Sequence, residues 1–401
     1  MKCKITNEEI KPFMSFGKMP AANGFLEKKD FKSEFFYHME VGFSKKISLF
    51  QLNKFSNPKI IHSVNYPFYT ASSEYMKTHF KKYADWVQKE YLKSYSKLIE
   101  VGSNDGTFLK NFVKTNIDYL GFEPSKTVAN QAIKNNIKTI NAFFNDGNTQ
   151  SLKKFQNKTD VICAANVIAH IPDLKNLIHA IEKLLSSKGV FIFEEPYLGS
   201  MFSKISFDQI YDEHIFMFSI TSVKKIFELY DFELIDVHWQ KTHGGSMRYV
   251  VGRKNKHKIN VRVHEGIIKE KNNKLDNMES CLEFKKNCDT SRIKVVDSLK
   301  KMKNDGKKIC GYAATAKSTT VLNYCNLNTE TIDFICDSTK EKIGKFSPGT
   351  HIPIVPVSHF HKNLPDIAYL FAWNHKDEIF SKEKEFLKKG GSWFSHVPLQ
   401  K

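Results

Sequence analysis

Tyr211, Glu213 and His214 form a short cluster whose side chains could perform acid–base chemistry. A histidine can act as a general base, a carboxylate beside it can orient it, and a phenol can donate a hydrogen bond or exchange a proton. A charged cluster of this kind can equally be a solvated turn between helices. The motifs elsewhere in the chain decide between these two interpretations.

A second motif lies further along the chain, where His243, Gly244, Gly245 and Ser246 precede Arg248. Glycines, which have no Cβ, let backbone amides approach a ligand closely. Arg248 is one of only four arginines, and its planar guanidinium suits a phosphate or carboxylate better than a lysine does. We therefore predict that this motif binds an anionic substrate.

The strongest local signal is the segment 99–109, IEVGSNDGTFL, a strand that ends in a glycine-bearing turn and leads into a helix. Gly102 and Gly106 allow close approach of the backbone to a ligand, and the helix start offers free N–H groups. The spacing differs from the dinucleotide pattern GxGxxG. Asp105 would repel a pyrophosphate but could receive an ammonium group.

The next strand ends in Glu123 and Pro124, and this acid lies 23 positions after Glu100. A carboxylate there can accept hydrogen bonds from both hydroxyls of a ribose. Together the two segments resemble the cofactor site of class I S-adenosylmethionine-dependent methyltransferases. The resemblance implies that the first segment holds the methionine part, that Glu123 holds the ribose, and that Ala142, Phe143 or Phe144 lies against the adenine. The cofactor residues that it implies are Glu100, Gly102, Asn104, Asp105, Gly106, Glu123, Pro124, Phe143 and Asn166.

These motifs depend on elements that bring strand ends together. The apolar runs KLIEVG, DYLGFE, DVICAAN and GVFIFEEP alternate with helical stretches, which is typical of a doubly wound parallel sheet. The first helix is expected to begin at Ser72 or Ser73. We predict an α/β fold with three parts: a small N-terminal module at 1–75, a Rossmann-like methyltransferase domain at 76–255, and a helical connector with a second, C-terminal α/β domain at 256–401.

The segment 211–214 and the glycine motif, together with His170, are similar to sequences of the sugar C-methyltransferase family. Members of that family carry a YHEH motif, an HGGSLR-like motif and a tyrosine-rich segment that resembles residues 66–73. The segments 311–317, 348–353 and 373–374 are similar to the family's C-terminal domain. The resemblance covers nearly the whole chain.

Enzymes of this family methylate a carbon beside a ketone on nucleotide-linked deoxysugars, so the resemblance implies an enolate intermediate. His214 is then the expected base, with Glu213 orienting it. Hydrogen bonds to the enolate oxygen are expected from Tyr211, His170 and Tyr69. The residues expected to bind the substrate are His243, Gly244, Gly245, Ser246, Arg248 and Lys317. Lys317 would contact the diphosphate, although an ordinary strand-to-helix turn is an equally good interpretation of its segment.

Two positions depart from the family. Its N-terminal module normally holds zinc through two CxxC pairs, whereas here only Cys3 remains and 43–46 reads FSKK. One thiolate cannot build a tetrahedral site, so neither zinc nor any other metal is expected. Asp212 replaces the first histidine of YHEH, which changes the electrostatics beside the motif.

Composition excludes several classes of protein. The chain has 401 residues and a formal net charge of +18, with 41% hydrophobic residues, so it is globular and not disordered. It has no apolar run of about 18 residues and no signal-peptide core at its start, so a cytoplasmic protein without a membrane span is expected. Its basic residues are mostly scattered lysines, which argues against a nucleic-acid partner. The oligomeric state is left open.

Alternatives to C-methylation remain. An O- or N-methyltransferase acting on a sugar or glycan precursor needs a base near a hydroxyl or an amine but no adjacent ketone. A protein of another class, a non-catalytic binding protein, could keep the same fold. The basic charge also leaves a nucleic-acid methyltransferase as a weaker alternative.

Overall fold

The computed structural model describes residues 1–54 and 69–399. Its strands are β1 (Pro12–Pro20), β2 (Phe36–Ser44), β3 (Leu49–Leu52), β4 (Lys97–Val101), β5 (Asp118–Phe122), β6 (Thr139–Ile140), β7 (Thr159–Ala165), β8 (Leu185–Pro196), β9 (Phe216–Met217), β10 (Phe232–Gln240), β11 (Ser246–Arg253), β12 (Ile309–Tyr312), β13 (Ile335–Asp337), β14 (Ile354–Pro356), β15 (Ile367–Leu370) and β16 (Ser392–Phe394).

Its α-helices are α1 (Glu74–Tyr91), α2 (Lys126–Lys134), α3 (Asp146–Thr149), α4 (Leu174–Leu184), α5 (Leu198–Lys204), α6 (Ile220–Glu228), α7 (Val261–Asn272), α8 (Met278–Asn304), α9 (Ala316–Tyr324), α10 (Val357–Lys362), α11 (Lys376–Lys382) and α12 (Lys384–Lys388). The short 3-10 helices cover Lys28–Ser33, Thr70–Ser72, Leu109–Phe112, Ile168–His170, Phe207–Gln209, Thr242–Gly244 and Trp373–His375. No helix in the described ranges has the length and apolar character that crossing a membrane requires.

The predicted α/β fold class is confirmed. The central sheet has the strand order β10-β11-β8-β7-β4-β5-β6, and the strands from β8 to β6 run parallel. β10 and β11 add an antiparallel hairpin at one edge. A second, fully parallel sheet in the C-terminal part has the order β14-β13-β12-β15-β16.

Alternating side chains explain why the central sheet is covered on both faces. Leu98, Val161 and Ile192 point into the core that α1 covers, while their neighbours Ile99 and Ile162 point into the core beneath α4 and α6. Successive residues of a strand face opposite sides, and a strand buried on both sides reads as a continuous apolar run. The apolar runs in the sequence are therefore the central strands.

The N-terminal sheet is completed by a strand from the middle of the chain. Its order is β1-β2-β3-β9, and β9 follows directly after the turn that carries His214. One hydrophobic core joins Phe16 and Phe43 of this sheet to Phe284 of α8 and Ile309 of β12. The N-terminal module is thus packed against both the middle and the C-terminal parts.

Candidate functional site

One cavity of about 770 Å³ lies at the carboxyl edge of the central sheet and extends to the N-terminal module and the C-terminal sheet. The residues predicted from the sequence that line it are Tyr69, Glu100, Gly102, Asn104, Glu123, Pro124, Phe143, Asn166, His170, Tyr211, Glu213, His214, His243 and Lys317. Those that do not line it are Asp105, Gly106, Gly244, Gly245, Ser246 and Arg248. Residues 66–68 of the tyrosine-rich segment lie outside the described part of the chain.

The turn after β4 packs closely against neighbouring segments through its two glycines. Gly102 has a φ of +67°, and a Cβ there would lie 2.4 Å from Val167. Gly106 packs against Ile137, where a Cβ would lie 2.8 Å from that side chain. The first glycine therefore allows the turn to lie against the loop after β7, and the second serves packing beneath it.

Asp105 holds neighbouring backbone in place. Its carboxylate accepts hydrogen bonds from the Ala71 amide at 2.7 Å and from the Thr107 hydroxyl at 2.6 Å. Asn104 Oδ1 accepts one from the Thr70 amide at 2.9 Å. These bonds tie the segment before α1 to the glycine turn.

Glu100 and Glu123 are buried carboxyls of the cavity wall beside the glycine turn, and their surroundings differ. Glu123 accepts hydrogen bonds from the amides of Ser125 at 2.8 Å and Asn104 at 3.0 Å. Glu100 Oε2 is buried and has no hydrogen-bond partner among the described residues. Burial raises the pKa of Glu100 well above its ordinary value, and the nearby carboxyls of Asp105 and Glu123 raise it further. An unpaired buried acid suits a positively charged group of a ligand.

Tyr211 and His214 form a hydrogen-bonded pair inside the cavity. His214 Nδ1 lies 2.7 Å from the Gln209 carbonyl oxygen, and Nε2 lies 2.8 Å from Tyr211 Oη. Because a carbonyl oxygen only accepts, Nδ1 carries the proton and Nε2 offers its lone pair to the phenol. Burial, with Lys317 and His243 nearby, lowers the pKa of His214 to about 3. The imidazole is therefore neutral.

Glu213 does not orient His214, contrary to the expectation from the sequence. Both nitrogens of His214 are engaged by Gln209 and Tyr211, and the Glu213 carboxyl lies 3.9 Å from His170 Nδ1. Burial and Asp212 raise the pKa of Glu213 to about 7. Asp212, at the position of the family's histidine, accepts a hydrogen bond from the Ala22 amide at 3.1 Å.

The turn that leads to His170 is held by Glu195, a carboxyl that no sequence motif indicates. Glu195 Oε1 accepts hydrogen bonds from three successive amides, those of Val167 at 2.9 Å, Ile168 at 2.6 Å and Ala169 at 3.1 Å. Burial raises the pKa of Glu195 to about 8, although these amides oppose the shift. The only sequence signal for this role was the acid pair at the end of β8.

The glycine motif packs two parts of the chain together. A Cβ on Gly244 would lie 2.1 Å from the Trp373 ring, and one on Gly245 would lie 2.3 Å from Ser200 Oγ. Ser246 donates its hydroxyl to the Thr242 carbonyl at 3.0 Å. Only His243 of this motif reaches the cavity, and burial together with Lys317 holds its pKa well below the ordinary value.

Arg248 is engaged in a buried ion pair. Its Nε lies 2.6 Å from Glu194 Oε1, and its guanidinium lies 4.0 Å from the Tyr83 ring centroid and 4.5 Å from that of Trp86. Burial alone would raise the pKa of Glu194, but Arg248 and His79 hold it below its ordinary value. The guanidinium therefore binds α1 to the sheet and does not face the cavity.

The C-terminal part closes the cavity with lysines. Thr315 caps α9 by accepting a hydrogen bond from the Ser318 amide at 3.1 Å, and this places Lys317 5.1 Å from the Trp373 ring centroid. Burial lowers the pKa of Lys317. Lys342 and His375 also line this wall, and no local motif marks either of them in the sequence.

Two family models match the chain in succession. One is described as a methyltransferase domain and matches residues 74–237. The other is described as a C-methyltransferase C-terminal domain and matches residues 241–398. The chain therefore combines a methyltransferase domain with a C-methyltransferase C-terminal domain. The enzyme is an S-adenosylmethionine-dependent methyltransferase.

A full-length relative agrees with these matches. The enzyme is 28% identical over 401 residues to the C-methyltransferase NovU of Streptomyces niveus, and the aligned region covers 99% of this chain and 95% of the relative. Among solved structures, a SAM-dependent methyltransferase from Archaeoglobus fulgidus is 14% identical, covers 45% of this chain and 94% of its own, and has a TM-score of 0.37. Magnesium protoporphyrin IX methyltransferase from Synechocystis with bound SAM is 12% identical, covers 44% and 79%, and has a TM-score of 0.34.

The cavity fits S-adenosylmethionine. The unpartnered carboxyl of Glu100 suits the ammonium group of S-adenosylmethionine, and Glu123 lies at the end of the next strand on the same wall. Within the described ranges, no group of three or more His, Cys, Asp or Glu side chains could hold a metal ion. Cys3 is buried, and its Sγ lies 3.5 Å from the Thr6 amide.

Proposed function

We propose that the enzyme methylates the carbon beside the ketone of a nucleotide-linked deoxysugar and that the reaction passes through an enolate. The observation that carries the proposal is the continuity of the cavity, which joins Glu100, the Tyr211–His214 pair and Lys317. The wall around Glu100 suits the ammonium group of the cofactor, the Tyr211–His214 pair suits a carbon acid, and Lys317 suits a diphosphate. A cytoplasmic location suits such a substrate.

In the proposed reaction, His214 Nε2 removes the proton from the carbon beside the ketone, and the electron pair of that C–H bond moves into the enolate. Before this step Tyr211 turns its hydroxyl from Nε2 to the ketone oxygen, which frees the lone pair of Nε2, and it stays hydrogen-bonded to that oxygen as the enolate forms. His170 and Tyr69 line the same cavity and can donate further hydrogen bonds. S-adenosylmethionine supplies an electrophilic methyl group. The protein's role is to hold the enolate carbon in register with it.

A low pKa makes His214 a weak base in the ligand-free enzyme. Lys317 and His243 contribute to that low pKa after burial itself. An anion bound beside Lys317 would offset this positive charge and raise the basicity of His214. Diphosphate binding and proton removal are thereby coupled in the proposal, which favours a substrate that carries its own negative charge.

Hydrogen exchange and product analysis test this function. With S-adenosylhomocysteine in place of the methyl donor, a nucleotide-linked keto-deoxysugar in D2O should exchange the hydrogen beside its ketone. With S-adenosylmethionine it should gain a methyl group on that carbon. The same sugar with its ketone reduced to a hydroxyl should do neither. Methylation of the reduced sugar on oxygen would replace the proposal with O-methylation, and lack of S-adenosylhomocysteine binding would favour a non-catalytic protein.

A further inference from the structure

Two residues of the N-terminal module reach between the other two parts of the chain. The Ala22 amide donates to Asp212 at 3.1 Å, and the Ala22 carbonyl accepts from the Thr319 hydroxyl at 2.8 Å. The next residue, Asn23, lines the cavity, and its Nδ2 donates to Glu213 Oε1 at 2.6 Å. The middle domain, the C-terminal domain and the module therefore meet at this loop.

The contact continues from Glu213 toward the base. Glu213 Oε2 lies 3.9 Å from His170 Nδ1, and the His170 ring centroid lies 5.1 Å from that of His214. Asn23, Glu213, His170 and His214 all line the same cavity. An amide on the far side of Glu213 thus sets where its carboxyl lies relative to the two histidines.

We propose that Asn23 is a positioning residue of the active site, which fixes the Glu213 carboxyl beside His170, so that the N-terminal module completes the site instead of only packing against it. The inference rests on the proposed function, because it takes His170 and His214 to surround the reacting carbon. Its chemical basis is the donor–acceptor match of an amide N–H₂ with a carboxyl oxygen.

The charge on Glu213 depends on this contact. The Asn23 amide favours the ionised form, whereas burial and Asp212 oppose it and raise the pKa of Glu213. The titratable groups that face Glu213 are Asp212 from its own turn, His170, Lys342 from the C-terminal domain, and Tyr37 from β2. Loss of the amide removes a group that stabilises the ionised carboxylate and should shift the titration to higher pH.

The test compares Asn23→Ala and Asn23→Asp with the unaltered enzyme. In Asn23→Ala, kcat should fall about tenfold, as expected for loss of a hydrogen bond to a carboxylate, while KM for S-adenosylmethionine stays the same. The transition in the pH profile should move to higher pH in both variants. The move should be larger in Asn23→Asp, because two carboxyls this close cannot both be ionised.

Glu34→Ala is the matched control, because Glu34 joins the same module to the C-terminal domain away from the cavity. Its carboxylate accepts from the Gly349 amide at 2.7 Å and contacts His351 Nε2 at 2.7 Å. This variant should lower Tm and leave the pH profile unchanged. The proposal is overturned if Asn23→Ala leaves the profile unmoved, or if Glu34→Ala moves it equally.

A measurement without substrate separates this inference from the proposed function. NMR titration of the His170 ring nitrogens reports the ionisation of the adjacent Glu213. The inflection should move to higher pH in Asn23→Asp, with S-adenosylhomocysteine binding as the check that the variant is folded. If the inflection moves while no keto-sugar is methylated, the positioning role stands and the substrate assignment fails. An unmoved inflection in the folded variant removes Asn23 from the site.

Discussion

Tyr211 Oη and His214 Nε2 lie 2.8 Å apart, and the other nitrogen of the same ring lies 2.7 Å from the Gln209 carbonyl. The backbone carbonyl thereby sets the tautomer, and the phenol occupies the lone pair that a base needs. The two side chains act as a unit: a substrate that takes the hydroxyl of Tyr211 frees Nε2 of His214. This relationship underlies the first prediction.

His214→Asn should lower turnover steeply while cofactor binding survives. Loss of a general base is expected to lower kcat by about 100-fold or more, whereas His214 makes no bond to the residues around Glu100 and Glu123. Turnover and the affinity for S-adenosylhomocysteine, measured by calorimetry, check this. The exposed His264 provides the control His264→Asn, which should behave as the unaltered enzyme. Near-normal turnover in His214→Asn would remove His214 from the mechanism.

The pH dependence should report Glu213 and not His214. The pKa of His214 is about 3 and that of Glu213 about 7, so the transition in kcat near neutrality should disappear in Glu213→Gln.

The raised pKa of Glu213 also affects stability. It stabilises the folded state at pH values below the ordinary pKa near 4.5, and this contribution is lost as pH rises through about 7. Between pH 4 and pH 8 the Tm should therefore decline more steeply in the unaltered enzyme than in Glu213→Gln. Parallel curves of Tm against pH would contradict this.

Cofactor binding should release a proton from Glu100. Burial and the nearby carboxyls raise the pKa of Glu100 and so favour the protonated carboxyl in the ligand-free enzyme, whereas an ammonium group beside it favours the ionised form. The calorimetric enthalpy of S-adenosylhomocysteine binding should vary with the ionisation enthalpy of the buffer, and the affinity should rise with pH. In Glu100→Gln the affinity should fall about tenfold and both dependences should vanish. Buffer dependence that persists in the variant would place the released proton elsewhere.

Gly244→Ala should destabilise the enzyme through Trp373. The new methyl group would lie 2.1 Å from the indole ring, and the backbone φ is +83°. Strain from the positive φ alone costs about 1–3 kcal/mol of unfolding free energy, and the collision adds to it. Gly306→Ala is the control, because Gly306 has a φ of +79° with nothing within 4 Å of the added Cβ. Equal losses of Tm in the two variants would show that the Trp373 contact is unimportant.

Arg248→Ala should lower stability and leave substrate affinity unchanged. Removal of the guanidinium leaves Glu194, which is 1% exposed, with His79 as its remaining partner. Breaking this buried ion pair should cost up to about 3–5 kcal/mol of unfolding free energy. The double variant Arg248→Met with Glu194→Gln should recover much of this loss. We would measure the denaturation midpoint together with the KM for a keto-sugar nucleotide. A raised KM with normal stability would show that Arg248 binds the substrate.

Local sequence was sufficient for the central sheet and for the placement of Glu100 and Glu123 at one of its edges. The runs around Ile99 and Ile162 alternate between two cores, so they read as buried strands, and parallel strands must bring Glu100 and Glu123 to one edge. Ser73, one of the two residues expected to begin the first helix, caps α1. These features depend on neighbours within a few residues, which a periodicity analysis captures.

The partners of side chains were decided only by the tertiary structure. Arg248 pairs with Glu194 across two strands, Gly244 packs on Trp373 of the C-terminal part, and Asn23 reaches Glu213 from the N-terminal module. Residue type and spacing suggested a substrate role for the first two and none for the third. Buried donors and acceptors must find hydrogen-bond partners, and these partners often come from segments that are distant in the chain. The sequence therefore determines which chemical group stands at each position. How the three parts pack determines which partner that group contacts.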